Sequence, residues 1–238
     1  MKKTGHSTAI RAISFDLDDT LWDNRPVLHS AEQTLFDWLL AHYPRIGELH
    51  DIASFQQMRL DLARERSDLR YQMTRLRKVS LQRLAEAAGY DDSLVEPAFA
   101  VFIEARHQVT LYDDVIPGLE ALRNAGYLLV ALSNGNASIH RLNIGHLFDF
   151  DLNAEQAGAA KPATAMFDQA CRQLDIAPDQ LAHVGDEHET DITGARNSGA
   201  VAVWMNRLQA ESPDNPRYHH QVRDMRELLM LAESWSSR

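Results

Sequence analysis

The sequence contains a single cysteine, Cys171, among 238 residues. One cysteine cannot form an intrachain disulfide, which excludes a disulfide-stabilised secreted fold and favours a reducing compartment. The apolar neighbours of Cys171 recur at helical spacing, which predicts a small buried side chain rather than a nucleophile. We therefore expect a cytoplasmic protein whose thiol is structural.

The chain also lacks clustered positive charge and any long apolar run. Its formal net charge is −10, and no tract is rich in lysine or arginine. Nucleic acid is not expected as a partner, because phosphate backbones are bound by clustered positive charge. No stretch is long and apolar enough to span a membrane or to act as a signal peptide. An acidic protein that binds anionic substrates must therefore supply positive charge locally, through a metal ion or a well-placed lysine.

Two kinds of hydrophobic pattern divide the chain, whose 45% hydrophobic and 24% charged residues are ordinary for a globular protein. From about Pro26 to Val109, apolar residues recur every three or four positions, which predicts a block of about three to four helices. On either side, short apolar runs alternate with helical patterns, which predicts βαβ crossovers. The sequence therefore predicts an α/β fold, in which a doubly wound, Rossmann-like parallel sheet carries an all-helical domain inserted after the first strand. The predicted strands are residues 10–15, 127–132, 150–152, 181–185 and 201–204, and the predicted helices outside the block are residues 119–124, 137–147, 164–174, 190–197 and 225–235.

The first chemical signal is a group of carboxylates at the end of the first predicted strand, in the run Phe15-Asp16-Leu17-Asp18-Asp19-Thr20. Crowded carboxylates repel one another, and a hard cation such as Mg²⁺, which prefers oxygen ligands, relieves that repulsion. Asp16 and Asp18 are two residues apart, so in an extended stretch they point to the same side. One of them could attack a phosphorus atom while the other protonates the leaving oxygen. A solvated acidic loop or a calcium site is the alternative interpretation.

Two weaker signals could hold a phosphate group. Ser133 and Asn134 follow the next predicted strand in a turn with Gly135, and hydroxyl, amide and backbone N–H groups can all bind phosphate oxygens. The same residues also form ordinary turns, so both interpretations stay open. Lys161 precedes Pro162 at a predicted helix start, from which its ammonium could reach the same edge of the sheet. A surface lysine is the alternative.

The fourth signal follows the predicted strand at residues 181–185, where Asp186 comes at the strand end and Asp191 at a helix start. Asp186 is a candidate metal ligand. Asp191 is a candidate for orienting the metal ligands without binding the metal itself. An acidic helix N-terminus is the alternative, because the helix dipole favours carboxylates there. All four signals lie at or near the carboxyl ends of predicted strands, where open α/β sheets bind their ligands.

These four segments resemble the four motifs of the haloacid dehalogenase-like superfamily. The first motif, Asp-x-Asp-x-Thr, corresponds to Asp16–Thr20, and the last, Gly-Asp-x-x-x-x-Asp, corresponds to Gly185–Asp191. The second motif is a hydroxyl residue, here Ser133, and the third is a lysine, here Lys161. The resemblance covers about residues 10–204. It implies a sheet order of 5-4-1-2-3. It also implies a catalytic core at residues 1–22 and 113–238, and a helical cap of the C1 type at residues 23–112.

The resemblance also implies the roles of a phosphatase for the motif residues. Asp16 would attack phosphorus and form an aspartyl-phosphate. Asp18 would act as the general acid and then as the base that activates water. Ser133, Asn134 and Lys161 would bind the phosphoryl group, and Lys161 would also neutralise the charge of Asp16.

The cofactor that the resemblance implies is Mg²⁺. Its ligands would be Asp16, Asp186 and Asp18, the last through its backbone carbonyl. Asp191 would support the metal site without being one of these ligands. Glu187 stands where many relatives have another residue, and it is a candidate for a further supporting carboxylate.

A narrower resemblance concerns the substrate. Residues 16–27 are similar to the opening of bacterial phosphatases that act on flavin mononucleotide and on phosphorylated ribitylaminouracil in riboflavin biosynthesis, and residues 133–137 are similar to their second motif. This implies a small phosphorylated metabolite as the partner, with Trp22 and Arg25 as candidate contacts. A 2-haloacid dehalogenase, a sugar phosphomutase and a non-catalytic binding protein on the same fold are the alternatives.

Overall fold

The computed structural model of the protein describes residues 9–212 and 217–236. The chain forms two compact units. One, the core unit, contains the described residues of Met1–Trp22, Leu111–Asn134 and Ile139–Arg238. The other, the helical unit, contains Asp23–Thr110 and Gly135–Ser138. No helix in the two described stretches combines the length and the apolar character needed to cross a bilayer.

The core unit is built on a parallel sheet whose strands are β1 (Ala12–Phe15), β2 (Leu128–Ser133), β3 (Phe150–Asn153), β4 (Leu181–Gly185), β5 (Val201–Met205) and β6 (His220–Val222). From one edge to the other the order is β3-β2-β1-β4-β5-β6. When the sheet is followed from the opposite edge, the strands β1 to β5 have the order 5-4-1-2-3, which confirms the predicted parallel α/β sheet. The structure adds β6 beside β5. Because β1 lies between β2 and β4, the strand order switches direction next to β1, and that is where such sheets bind ligands.

The two central strands are buried along their whole length. β1 reads Ala-Ile-Ser-Phe and β4 reads Leu-Ala-His-Val-Gly, and every residue of both strands is buried. A strand covered on both faces is expected to be a nearly continuous apolar run. Ser14 and His183 interrupt the two runs, and they are register partners in neighbouring strands. The centre of the sheet therefore contains one polar pair.

The helical unit contains the helices α1 (Asn24–His42), α2 (Arg45–Leu49), α3 (Ile52–Glu65), α4 (Met73–Ala87) and α5 (Val95–Arg106). Apolar side chains such as Leu35 and Phe55, which are 0% and 1% exposed, form its core. Asp23 and Asp51 begin α1 and α3 as N-caps whose carboxylates accept backbone N–H groups. Gly89 has a φ of 69° and follows α4 in the left-handed conformation that commonly ends helices. Four of these helices are long, in agreement with the predicted helical block.

The helices of the core unit are α6 (Val115–Asn124), α7 (Ala154–Ala157), α8 (Ala165–Leu174), α9 (Thr193–Ser198) and α10 (Met225–Ser236). α6 begins before its predicted start at residue 119, because Pro117 is tolerated in a first turn. A π-helical turn at His188–Ile192 precedes α9. Cys171 is buried in α8, as predicted.

The helix predicted at residues 137–147 is wrong. The segment consists of turns and irregular backbone apart from a 3₁₀ turn at Gly145–Leu147. Asn143 has a φ of 57°, a left-handed conformation that interrupts a right-handed helix. The sequence does not predict β6, because the three residues His220–Val222 are too few to show a period.

Candidate active site

Three of the predicted site residues lie at the carboxyl ends of neighbouring strands. Asp16 follows β1, Ser133 ends β2 and Asp186 follows β4. β1 pairs with both of the other strands, so the three ends meet at one edge of the sheet. The Asp16 N–H donates to the Val184 carbonyl at 2.8 Å. This bond continues the ladder beyond the strand and fixes the backbone that carries the Asp16 carboxylate.

Lys161 is a buried residue, 3% exposed, and not a surface lysine. Its Nζ donates to Asp16 Oδ1 at 2.6 Å and to the Leu132 carbonyl at 2.7 Å, and it lies 2.6 Å from Asp191 Oδ1. An ammonium has three donors, and these acceptors account for all of them. A buried ion pair needs such complete hydrogen bonding to offset desolvation. Lys161 therefore joins the first and last of the predicted motifs.

Asn134 holds the backbone of Lys161. Its Nδ2 donates to the Lys161 carbonyl at 3.1 Å, and its Oδ1 accepts the Lys161 N–H at 2.8 Å. Both ends of the amide are thus used to position the lysine. A direct contact between Asn134 and phosphate stays a prediction, as does the predicted contact of Ser133, which is 3% exposed at the end of β2.

Asp191 is almost completely enclosed, with 2% of its side chain exposed. Its Oδ2 accepts the Glu187 N–H at 3.0 Å, and its Oδ1 lies 3.3 Å from His183 Nε2 in addition to its contact with Lys161. A Cβ added at Gly185 would collide with the Asp191 carboxylate. Residue 185 must therefore be glycine for Asp191 to take this position.

Carboxylates outnumber cations in this cluster. One oxygen atom from each of Asp16, Asp186 and Asp191 lies within 4.8 Å of the others. Lys161 pairs with two of them. Like charges crowded together in a buried site repel one another unless they are compensated. An oxygen-only donor set with surplus negative charge suits Mg²⁺, so these residues fit a hard divalent cation.

The pKa values reflect the same imbalance. Burial, with the added negative charge of Asp191, raises the pKa of Asp186 to about 7. Burial also raises the pKa of Asp16, against the opposing effect of Lys161. Burial alone would raise the pKa of Asp191 as well, but Lys161 and His183 hold it below its ordinary value. A bound cation would therefore stabilise the charged forms of Asp16 and Asp186 in particular.

Asp186 is oriented by two other elements of the core unit. Thr20 Oγ1 donates to Asp186 Oδ1 at 3.1 Å, and Trp204 Nε1, in β5, donates to the Asp186 carbonyl at 2.9 Å. Thr20 is completely buried. The threonine of the first motif thus positions a carboxylate of the fourth, a pairing that no local pattern predicts.

Asp18 and Glu187 lie beside the three-carboxylate cluster. Asp18 is partly exposed, and its negative charge contributes to the raised pKa of Asp16. Its roles as general acid and as a carbonyl ligand stay predictions. Glu187 is exposed, and its carboxylate accepts a hydrogen bond from Thr190 Oγ1 at 2.8 Å. Glu187 therefore contacts Asp191 through its backbone N–H, and its carboxylate is turned to Thr190.

Trp22 and Arg25 differ in accessibility. Trp22 is 0% exposed and forms a β-bridge with Leu111. Its ring cannot stack on a substrate in this conformation, so the predicted contact requires Trp22 to become exposed. Arg25 is exposed, and its backbone N–H donates to the Asp23 carboxylate at 3.1 Å.

Sequence reasoning missed Ser14 and His183. Ser14 Oγ lies 2.9 Å from His183 Nδ1, and both residues are 0% exposed. A polar side chain in the middle of a buried apolar strand is costly unless it is hydrogen-bonded. The signal that could have identified them is a polar residue inside each of the two apolar strands that precede a motif.

Comparisons with known proteins identify the family of the chain. Residues 10–199 match the family model of the haloacid dehalogenase-like hydrolases. The chain is 30% identical over 200 residues to the 5-amino-6-(5-phospho-D-ribitylamino)uracil phosphatase YigB of Escherichia coli (strain K12), covering 82% of this chain and 83% of that protein. It is 28% identical over 231 residues to a glyceraldehyde 3-phosphate phosphatase of Methanopyrus kandleri, covering 92% of this chain and 96% of that protein.

A solved structure is similar over nearly the whole chain. The 2-haloacid dehalogenase from Pseudomonas syringae pv. Tomato DC3000 has a TM-score of 0.88 and 34% identity, covering 95% of this chain and 99% of that chain. The family match spans all four motifs, which confirms the resemblance seen in the sequence. The chain therefore belongs to the haloacid dehalogenase-like hydrolases, among which the curated relatives named above are phosphatases.

Proposed function

We propose that the protein is a Mg²⁺-dependent phosphatase that hydrolyses a small phosphorylated metabolite through an aspartyl-phosphate on Asp16. The observation that carries this proposal is the buried 2.6 Å contact between Lys161 Nζ and Asp16 Oδ1, within a cluster that has surplus carboxylates. A lysine bonded to one Asp16 oxygen can also neutralise a phosphoryl group that approaches the other. Phosphoryl transfer depends mainly on positioning and charge compensation, and these residues supply both.

In the first step, a carboxylate oxygen of Asp16 attacks phosphorus. A bond between phosphorus and Asp16 forms while the bond to the leaving oxygen breaks. Asp18 gives its proton to that oxygen, so the organic product leaves as an alcohol. Ser133 donates a hydrogen bond to a phosphoryl oxygen during the transfer, and the Lys161 ammonium compensates the charge of the phosphoryl group.

In the second step, Asp18 is a carboxylate and takes a proton from a water molecule. The water oxygen attacks phosphorus and breaks its bond to Asp16. Inorganic phosphate leaves, the Asp16 carboxylate is regenerated, and Asp18 is protonated again for the next turnover.

Asp16, Asp186 and the backbone carbonyl of Asp18 would hold the Mg²⁺. When bound, the ion supplies positive charge that compensates the phosphoryl oxygens and the nucleophile. Thr20 keeps Asp186 turned into the cluster through its 3.1 Å hydrogen bond. Asp191 supports the site by fixing Lys161.

For the substrate we propose flavin mononucleotide or phosphorylated ribitylaminouracil, in riboflavin biosynthesis. The 30% identity to YigB supports this choice. Residues 23–112 would act as a C1 cap that selects the leaving group, and the exposed Arg25 is the candidate contact. The glyceraldehyde 3-phosphate phosphatase among the relatives makes short sugar phosphates the comparison set.

The test is phosphate release with and without Mg²⁺, from an aryl phosphate, flavin mononucleotide, phosphorylated ribitylaminouracil and sugar phosphates. We expect activity that EDTA abolishes and added Mg²⁺ restores. Asp16→Asn should lower kcat by at least about 10³-fold, because a neutral amide is a poor nucleophile. The matched control is Asp19→Asn, since Asp19 is exposed and its φ of 60° is one that Asn tolerates. Equal activity in wild type and Asp16→Asn would contradict the proposal.

Dehalogenation of 2-haloacids is the second candidate function, because the solved structure with a TM-score of 0.88 carries that name. This reaction also uses an aspartate nucleophile, but it needs neither a metal ion nor an acid two residues later. The presence of Asp18 and Asp186 therefore favours phosphate esters. Incubation with 2-chloropropionate in EDTA should release no chloride, whereas metal-independent chloride release without phosphatase activity would favour the dehalogenase.

A further inference from the structure

We propose that His183, held by Ser14, is a positioning residue. It keeps the Asp191 carboxylate bonded to Lys161, so that Asp191 does not become a ligand of the metal. The inference rests on the Mg²⁺-dependent function proposed above. It concerns two residues that belong to none of the four motifs and lie in the middle of the two central strands.

The hydrogen bonds determine the tautomer of His183. Nε2 lies 3.3 Å from Asp191 Oδ1, and an ionised carboxylate only accepts, so Nε2 carries the proton. Nδ1, which lies 2.9 Å from Ser14 Oγ, then accepts the hydroxyl proton. The Phe167 ring lies perpendicular to the imidazole, with 4.9 Å between ring centroids. Since His183 and Ser14 are 0% exposed, the imidazole cannot turn to other partners without disturbing this packing.

Proximity alone makes three carboxylates candidates for the metal, but their oxygens are not equally available. A carboxylate has about four lone-pair positions. In Asp191, Lys161 and His183 occupy those of Oδ1, and the Glu187 N–H occupies one of Oδ2. The Gly185 backbone lies directly against the same carboxylate. Asp191 is therefore near enough to bind the ion, but protein donors already occupy three of its roughly four lone-pair positions.

Asp186 is in a different position. Its carboxylate accepts one side-chain hydrogen bond, from Thr20. Asp16 accepts one from Lys161. These two residues are consequently the carboxylates that remain open to a cation. Asp191 differs from them by two further donors, the Glu187 N–H and the His183 N–H, and of these the His183 N–H shares Oδ1 with Lys161.

Loss of the His183 N–H should therefore have two opposite effects. A released Asp191 would act as an additional charged ligand, and the affinity of an oxygen site rises with the number of charged ligands. At the same time Lys161 would lose the counter-ion that keeps its ammonium against Asp16. We expect tighter metal binding together with slower catalysis, a combination that a general loosening of the site does not produce.

The test uses two variants of the full chain. Ser14→Ala/His183→Phe replaces both members of the polar pair by apolar groups, which avoids leaving either one unpaired. His183→Gln keeps an N–H donor in place of the imidazole. Isothermal titration with Mg²⁺ gives the Kd without turnover, and phosphate release from an aryl phosphate gives kcat and KM.

In the double variant, the Kd for Mg²⁺ should fall by about threefold or more. Its kcat should fall by about tenfold or more, while KM changes by less than about twofold. His183→Gln should stay within about threefold of wild type in both quantities. Adding Asp191→Asn to the double variant should abolish the tighter binding. Circular dichroism verifies folding. If the double variant does not fold, Ser14→Ala alone, which removes the hydroxyl that holds the imidazole through Nδ1, should shift both quantities in the same directions.

A folded double variant with wild-type Kd and kcat would overturn the inference, and so would a weaker affinity for Mg²⁺. A His183→Gln variant as impaired as the double variant would also contradict it, because the ring and not the N–H would then matter. If the wild-type protein neither binds Mg²⁺ nor releases phosphate, the proposed function itself fails, and this inference fails with it.

Discussion

Each of the two units contains a buried ion-pair cluster, and the two clusters are unbalanced in opposite directions. In the core unit one cation, Lys161, pairs with two carboxylates. In the helical unit one carboxylate, Glu32, pairs with two arginines, Arg59 and Arg77, at 2.9 and 2.7 Å. Burying unequal charge is costly in both places. The difference between the clusters lies in how the surplus charge is accommodated.

The surplus positive charge of the helical unit is accommodated by the geometry of the side chains. Arg77 donates to both Glu32 oxygens, at 3.2 and 2.7 Å, and its Cζ lies 3.4 Å from the centre of the Phe102 ring. A planar guanidinium can pair bidentately and stack on a ring at the same time. Burial lowers the pKa of Arg77, and the nearby Arg59 and Arg106 add to that effect. The cluster joins α1, α3, α4 and α5 and stabilises the packing of these helices.

The surplus negative charge of the core unit cannot be accommodated by pairing and stacking of this kind. Carboxylates are compact acceptors that cannot stack on rings or donate to one another when ionised. Their repulsion is relieved by protonation or by a cation. The comparison therefore supports the proposal that the core cluster binds a cation, whereas the helical cluster balances much of its surplus charge with its own side chains.

The largest expected effect is that of Lys161→Met. The variant leaves Asp16 and Asp191 without their cation, so kcat should fall by about 10³-fold. Without Mg²⁺, the free energy of unfolding should drop by about 3–5 kcal/mol, and added Mg²⁺ should restore part of it. Phosphate release and urea denaturation measure the two effects. Lys78→Met is the control, because Lys78 forms a partly exposed pair with Glu96 and its loss should change stability by less than about 1 kcal/mol. Wild-type turnover in Lys161→Met would contradict the comparison.

Glu32→Gln tests the helical cluster. A neutral amide leaves the buried Arg77 without its counter-ion, so the free energy of unfolding should fall by about 3–5 kcal/mol. Mg²⁺ should not restore this loss, and kcat of the folded fraction should equal that of wild type. Urea denaturation with and without Mg²⁺, next to Lys161→Met, provides the measurement. Rescue of Glu32→Gln by Mg²⁺ would show that the two clusters do not differ as proposed.

Mg²⁺ alone should stabilise the wild-type protein in a pH-dependent way. At about 100 times the Kd measured at pH 8, the free energy of unfolding should rise by about 2.7 kcal/mol. The pKa of Asp186 is raised to about 7 by burial and the charge of Asp191, so below that pH a proton competes with the cation. At pH 6 and the same Mg²⁺ concentration the gain should be roughly half as large. Thermal or urea unfolding at the two pH values measures it, and a gain that grows towards pH 6 would contradict this sign.

The smallest expected effect is that of Asn134→Ala. The variant removes two hydrogen bonds to the Lys161 backbone and should cost about 1–2 kcal/mol of stability. Because Lys161 then loses its anchor, kcat should fall as well. Asp51→Ala, which removes the capping box of α3, should lower stability and leave kcat unchanged. Equal kcat in both variants would show that Asn134 does not act through Lys161.

Much of the core unit can be predicted from the sequence, because its signals are local. The strand predicted at residues 181–185 has the bounds of β4, Leu181–Gly185. The parallel sheet, the helical block and the family follow from periodicity and from four short motifs. The prediction fails where the signal is short or irregular. β6 spans three residues, and Asn143 interrupts the predicted helix at 137–147 with a left-handed backbone.

The sequence by itself determined which chemical groups stand at the strand ends, because the position of Asp16 after β1 and of Asp186 after β4 depends on local alternation. Only the tertiary structure decided which partner each group takes. Lys161 reaches Asp16 across 145 residues, and Ser14 meets His183 across 169. Such contacts depend on the packing of several elements at once, and no short pattern encodes them. For the same reason, the assignment of Asp191 to Lys161 could be read from the folded chain alone.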